Sequence, residues 1–101
     1  MIVDEGDRDH TVTVKVGSPV TVRLGENPTT GYRWALVDQG DLEVVGDTFE
    51  QTGDAIGAAG VRTFTFHAPQ QGRSRLRFKN WREWEGERSV IQQFEVTVEV
   101  Q

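Results

Sequence analysis

Thr11-Val12-Thr13-Val14-Lys15-Val16, then Gly17-Ser18-Pro19, then Val20-Thr21-Val22-Arg23-Leu24 is the stretch that decides the fold. Apolar and polar residues alternate on both sides of a Gly-Ser-Pro turn. Period two puts the apolar set on one face, which is the pattern of a strand buried on one side. Outward from this pair the same period recurs. Tyr32, Trp34 and Leu36 share a face, as do Phe64 and Phe66. Arg73, Arg75, Arg77 and Lys79 alternate with Ser74, Leu76, Phe78 and Asn80. At the end, Phe94, Val96, Val98 and Val100 face away from Glu95, Thr97 and Glu99.

The spacing predicts seven strands near residues 10–16, 19–24, 31–37, 42–49, 60–67, 73–80 and 89–100. Turn signals mostly fall every 8–12 residues, and no helical period appears. Composition agrees. The 101 residues hold 14 valines and 10 threonines against 5 alanines and 4 leucines. β-branched side chains suit strands, whereas Ala and Leu lead the helix scale. The expectation is an all-β chain, an immunoglobulin-like antiparallel β-sandwich of about seven strands, forming one domain over 1–101. Residues 1–9, with Asp4, Glu5, Asp7 and Asp9, read as a flexible, solvated N-terminal arm.

Several function classes recede on chemistry alone. No cysteine is present, which removes disulfides, thiolate metal sites and a cysteine nucleophile. A net charge of −5 weighs against nucleic acid as a partner. The arginine ladder 73/75/77 reads as one half of a cross-strand charge pattern, with Glu95 and Glu99 opposite. His10 and His67 are too few and too far apart for a metal site, and Asp7-x-Asp9 lacks the rest of a calcium loop. Ser18, Ser74 and Ser89 have no nucleophile-elbow glycines. Glu83, Glu85 and Glu87 read as a solvated face rather than a glycosidase pair. The expectation is therefore no enzyme, no metal and no cofactor. Met1–Asp9 carries no apolar run, which reads as no signal peptide and no membrane span. That leaves a cytoplasmic or a trimmed exported form open.

Three loops stand out. Asn27-Pro28-Thr29-Thr30-Gly31 couples a fixed φ at Pro28 to a permissive Gly31, giving a stiff tip with small polar side chains. Such a tip loses little freedom on docking. Gly57-Ala58-Ala59-Gly60 is a bare backbone run closing a long loop. Asn80-Trp81-Arg82-Glu83-Trp84-Glu85-Gly86 carries two tryptophans and an arginine, the residue types enriched in binding hot spots. Trp81 reads either as a cover for the end of the core or as an exposed anchor. In a sandwich of this topology the three loops share one end. They form a convex edge with no catalytic set, the anatomy of a binder that enters a cleft.

The stretch Asn27-Pro28-Thr29-Thr30-Gly31-Tyr32-x-Trp34 resembles the signature loop of the chagasin family of cysteine-peptidase inhibitors. The family's second motif, G-x-G-G, is matched by Gly57-Ala58-Ala59-Gly60, with Ala59 in place of a glycine. Its third, R-P-W, is matched by Arg82-Glu83-Trp84, with Glu83 in place of proline, so other contacts must hold that loop. The resemblance implies reversible, competitive inhibition of papain-like cysteine peptidases, with the cathepsin L type as the expected partner. The absence of cysteine and the short tip braced by Pro28 and Gly31 lead to the expectation that the block is tight-binding, steric and non-covalent. Thr29, Thr30 and Gly31 would sit at the peptidase's Cys–His pair, with Asn27 and Pro28 shaping the tip. Gly57, Ala58, Ala59 and Gly60 would run along the non-primed side of the cleft. Arg82 and Trp84 would pack on the primed-side wall. The inhibitor is expected to be a monomer when free. The competing expectation is an interaction or carbohydrate-binding module that uses Trp81 and Trp84 as a platform.

Overall fold

A computed structural model describes residues 1–52 and 59–101. Among the described residues eight strands form two sheets of four, packed face to face on a common core. The first sheet has the order β1-β3-β6-β5 and the second β2-β8-β7-β4. The strands are β1 (Ile2–Val3), β2 (Thr11–Val14), β3 (Pro19–Glu26), β4 (Arg33–Asp38), β5 (Glu43–Gln51), β6 (Gly60–His67), β7 (Gly72–Trp81) and β8 (Gln92–Val100). Among the described residues only short 3-10 turns interrupt them. β3–β6, β5–β6, β4–β7 and β7–β8 pair antiparallel, while β1–β3 and β2–β8 pair parallel.

The alternation read from the sequence is the burial pattern of the strands. In β3, Val20, Val22 and Leu24 are fully buried, and in β8 Phe94, Val96, Val98 and Val100 line the core. Phe78 lies at its centre, with Phe64, Phe66 and Phe94 ring centroids 4.9, 6.2 and 6.0 Å away. The arginine ladder is matched across the sheet. Arg73 faces Glu99 and Arg77 faces Glu95, with ion pairs Arg73–Glu99 at 3.4 Å, Arg75–Glu95 at 3.3 Å and Arg77–Glu95 at 3.5 Å.

Three expectations are corrected. Residues 1–9 are not a free arm. Ile2–Val3 pairs with Thr21–Val22, Val3 is completely buried, and Asp4 caps a 3-10 turn over Glu5–Asp7. Two residues are too few to show a period, so the strand leaves no trace in a pattern search. The second strand stops at Val14, because Ser18 donates to the Lys15 carbonyl and Gly17 turns at φ 84°, leaving Val16 exposed. β5 runs to Gln51, past the expected end at 49, and carries a bulge between Val44 and Gly46 opposite Phe66 and Thr65. Val45 is the extra residue there.

Register decides where the loops lie. Glu26, at the end of β3, faces Gly60, at the start of β6, and Gln51, at the end of β5, faces the same Gly60. Arg33, at the start of β4, faces Trp81, at the end of β7. The β3–β4, β5–β6 and β7–β8 connections therefore leave from one end of the sandwich. They are called loops 1, 2 and 3.

Candidate functional site

Loop 1 is built by its own side chains. Asn27 is extended, and its Oδ1 accepts the Thr29 N–H at 3.1 Å and the Thr29 hydroxyl at 2.6 Å. A 3-10 turn follows over Pro28–Thr30, with proline at the first position, where its missing N–H costs nothing. The Thr30 hydroxyl donates to the Asn27 carbonyl at 2.9 Å, and the Gly31 N–H donates to the Pro28 carbonyl at 3.1 Å. Gly31 ends the turn at φ 81°, a left-handed conformation that glycine alone enters without cost. The stiffness expected of the tip has this concrete cause. Asn27, Pro28, Thr29 and Thr30 are all exposed.

The stem below is anchored in the core. Trp34 is buried, its indole N–H donates to the Gly25 carbonyl at 2.7 Å, and its backbone N–H donates to Glu26 Oε1 at 2.6 Å. The expected structural role of Trp34 matches this placement.

Loop 3 holds its shape without proline. Two 3-10 turns, Glu83–Glu85 and Glu87–Ser89, meet at Gly86, which has φ 77°. Ser89 is buried beneath them. Its Oγ accepts the Arg82 N–H at 3.0 Å, and its single proton is shared between the Arg82 carbonyl at 2.9 Å and the Gly86 carbonyl at 2.6 Å. These are the other contacts that Glu83, in place of proline, made necessary.

Arg82 fastens loop 3 to loop 1. Its Nε donates to the Thr30 carbonyl at 3.0 Å, its guanidinium lies 4.4 Å from the Tyr32 ring centroid, and Nη1 meets Glu85 at 3.0 Å. Trp84 is 71% exposed, yet it leans on the tip of loop 1. A Cβ at Gly31 would lie 2.5 Å from Trp84 Cη2. Thr29, Thr30, Gly31, Arg82 and Trp84 are thus brought together as one surface. Trp81 is not part of it. It is the last residue of β7, half-buried, with the Lys79 ammonium 3.5 Å from its ring centroid.

Of the second motif, Gly57 and Ala58 lie outside the described residues. Ala59 is exposed, and its carbonyl accepts both the N–H and the hydroxyl of Thr52 at 3.2 and 2.9 Å. Gly60 is buried in β6, where a Cβ would lie 2.5 Å from the Glu50 carbonyl oxygen and run into the Phe49 ring. Its smallness serves the stem of the loop.

Sequence reading missed a buried charge pair at the loop end. Glu26 and Arg62 meet at 2.9 Å, and Arg62 also meets Asp47 at 3.1 Å. The available signal was phase: Glu26 continues the inward series Val20, Val22, Leu24, and Arg62 continues Phe66, Phe64. Ser89 was weighed only as a nucleophile, whereas its role is to brace a loop. Among the described residues no group of three metal-ligating side chains occurs.

The described residues form an all-β sandwich that carries a braced loop edge at one end. The profile described as "Chagasin family peptidase inhibitor I42" matches residues 13–98, and the chain belongs to that family, whose members inhibit proteases rather than act as enzymes. Solved structures agree on the fold. The chain is similar to the cysteine protease inhibitor EhICP2 from Entamoeba histolytica, with TM-score 0.89 and 18% identity over 99% of this chain and 94% of that one. It is similar to Amebosin, with TM-score 0.78 and 25% identity over 99% and 96%. It is also similar to PbICP-C, solved in complex with falcipain-2, with TM-score 0.70 and 14% identity over 100% and 90%. A comparison with curated proteins finds no match.

Proposed function

We propose that this chain is a reversible, tight-binding, non-covalent inhibitor of papain-like cysteine peptidases, of the cathepsin L type, that occludes the active-site cleft with loops 1, 2 and 3. The observation that carries the reading is the tip of loop 1. Thr29 and Thr30 stand exposed on a turn whose polar groups are engaged by Asn27 and Pro28, and whose flank is held by Arg82 and Trp84. A tip braced by its own hydrogen bonds enters a cleft without a large ordering cost.

The chemistry is steric. Papain-like enzymes attack with a thiolate beside an imidazolium. The chain has no cysteine to form a mixed disulfide. The 3-10 turn holds the Thr29–Thr30 and Thr30–Gly31 peptides in a closed conformation rather than the extended one that a substrate presents. Trp84 supplies the large apolar contact beside the tip, and Arg82 positions loop 3 against it. The interface expected of such a complex buries about 1,600 Å² in total, and the free inhibitor is a monomer.

The test is inhibition of papain and cathepsin L by the purified protein, followed by calorimetry with peptidase whose catalytic cysteine is replaced by alanine. Binding is expected to persist in that variant, and the inhibitor's mass is expected to stay unchanged after long incubation with active enzyme. A cut between Thr29 and Gly31, or binding lost with the cysteine, overturns occlusion.

A further inference from the structure

At the loop end of the first sheet the apolar core gives way to charge. Glu26 follows Leu24 on the inner face of β3, and Arg62 precedes Phe64 on the inner face of β6; their side chains are 1% and 10% exposed. Arg62 Nη2 and Nε reach Glu26 Oε2 at 2.9 and 3.2 Å, and Nε lies 3.4 Å from Oε1. The same Oε1 accepts the Trp34 N–H. Arg62 Nη1 turns the other way, to Asp47 on β5, and the guanidinium sits 5.4 Å from the Phe49 ring centroid. Burial by itself lowers the pKa of the Arg62 guanidinium, but its hydrogen bonds and charge attraction with Glu26 and Asp47 outweigh that and hold it above its ordinary value.

A buried ion pair is no more stabilising than well-packed apolar side chains of the same volume. What it adds here is connection. Glu26 is the last residue before loop 1, and Trp34 lies just beyond that loop. Asp47 lies on the strand that leads into loop 2, and Arg62 is the third residue of the strand that leaves it. One charge network therefore joins the stems of two loops across three strands of one sheet and reaches β4 of the other through the Trp34 N–H.

We infer that Glu26 and Arg62 are positioning residues that set loop 1 relative to the stems of loop 2, and so fix the shape of the edge that meets the peptidase. The inference rests on the peptidase reading for its consequence, but the geometry it concerns belongs to the free protein. Neither residue lies in the loops themselves.

The experiment uses the full chain and Glu26→Gln, which keeps a carbonyl oxygen for the Trp34 N–H and removes the charge. Two readouts are taken. Amide hydrogen exchange in the free protein is expected to quicken about tenfold at Thr29, Thr30 and Gly31 and to stay unchanged at Phe94–Val98 in β8. A merely stabilising role would shift both regions together. The inhibition constant for papain, referred to folded protein, is expected to rise about tenfold. Asp47→Asn, at a half-exposed side chain, is expected to act in the same direction by about threefold, and it decides the matter if Glu26→Gln does not fold. Loop exchange and inhibition both unchanged, or exchange raised equally in β8, overturns the inference. Wild-type protein that leaves papain and cathepsin L active overturns the peptidase reading alone, since exchange still judges the positioning.

Discussion

Arg82 donates its Nε–H to the carbonyl of Thr30 at 3.0 Å, joining two loops that are 52 residues apart in the chain. The two residues that a family motif would assign to separate contacts are parts of one surface. The carbonyl at the tip of loop 1 is held from the side by loop 3, and the Tyr32 ring forms the floor under the guanidinium.

Arg82→Lys keeps the charge but cannot serve the Thr30 carbonyl, the Tyr32 ring and Glu85 at once, because only the planar fork presents donors in those directions together. The inhibition constant for papain is expected to rise about tenfold, and further for Arg82→Ala, with a urea midpoint close to wild type. Unchanged inhibition by both variants would remove Arg82 from the site.

Trp84→Ala should separate stability from binding. The ring is mostly exposed, so its loss should cost about 0.5 kcal/mol or less of folding free energy. If the proposed inhibition holds and the ring anchors the complex, the same substitution should cost about 2 kcal/mol or more of affinity. Denaturation and titration calorimetry on the same preparation measure both.

Trp34→Ala should do the opposite and lower stability by about 3–5 kcal/mol. Trp34→Phe keeps most of the volume and loses the hydrogen bond to the Gly25 carbonyl, a smaller penalty of about 1–2 kcal/mol. Chemical denaturation followed by far-ultraviolet dichroism orders the three proteins.

Ser89→Ala removes the hydroxyl that serves the Arg82 N–H and two carbonyls. A loss of about 1–3 kcal/mol of stability is expected, together with weaker inhibition, because loop 3 is freed. By contrast, Arg75→Ala removes an exposed ion pair with Glu95 and should change stability by less than about 1 kcal/mol. If the two substitutions proved equal in cost, Ser89 would not be the brace of the loop.

The strands were legible because one physical rule wrote them: a sheet buried on one face alternates. The tip of loop 1 was legible because Pro28 and Gly31 restrict or permit backbone angles wherever they occur. Ile2–Val3 was not, since a two-residue strand exists only through its pairing with Thr21 and Val22. The Glu26–Arg62 pair was hidden for a related reason. A charge is expected to face water, and only the partner, 36 residues away, makes its burial tolerable. Arg82 was identified by its type, but its grip on Thr30 depends on the β3–β4 crossover and the β7–β8 hairpin end meeting in space, which no local pattern encodes.

β5 is an edge strand of the first sheet, and the extra residue at Val45 breaks the flat row of amides and carbonyls that such an edge would otherwise offer. A strand arriving from another molecule would keep register with only half of it, and would meet Glu43, Asp47 and Glu50 along the way. Val44 and Val45 are both exposed there, and the bulge between Val44 and Gly46 makes this stretch a poorer template for strand addition than a straight row would be.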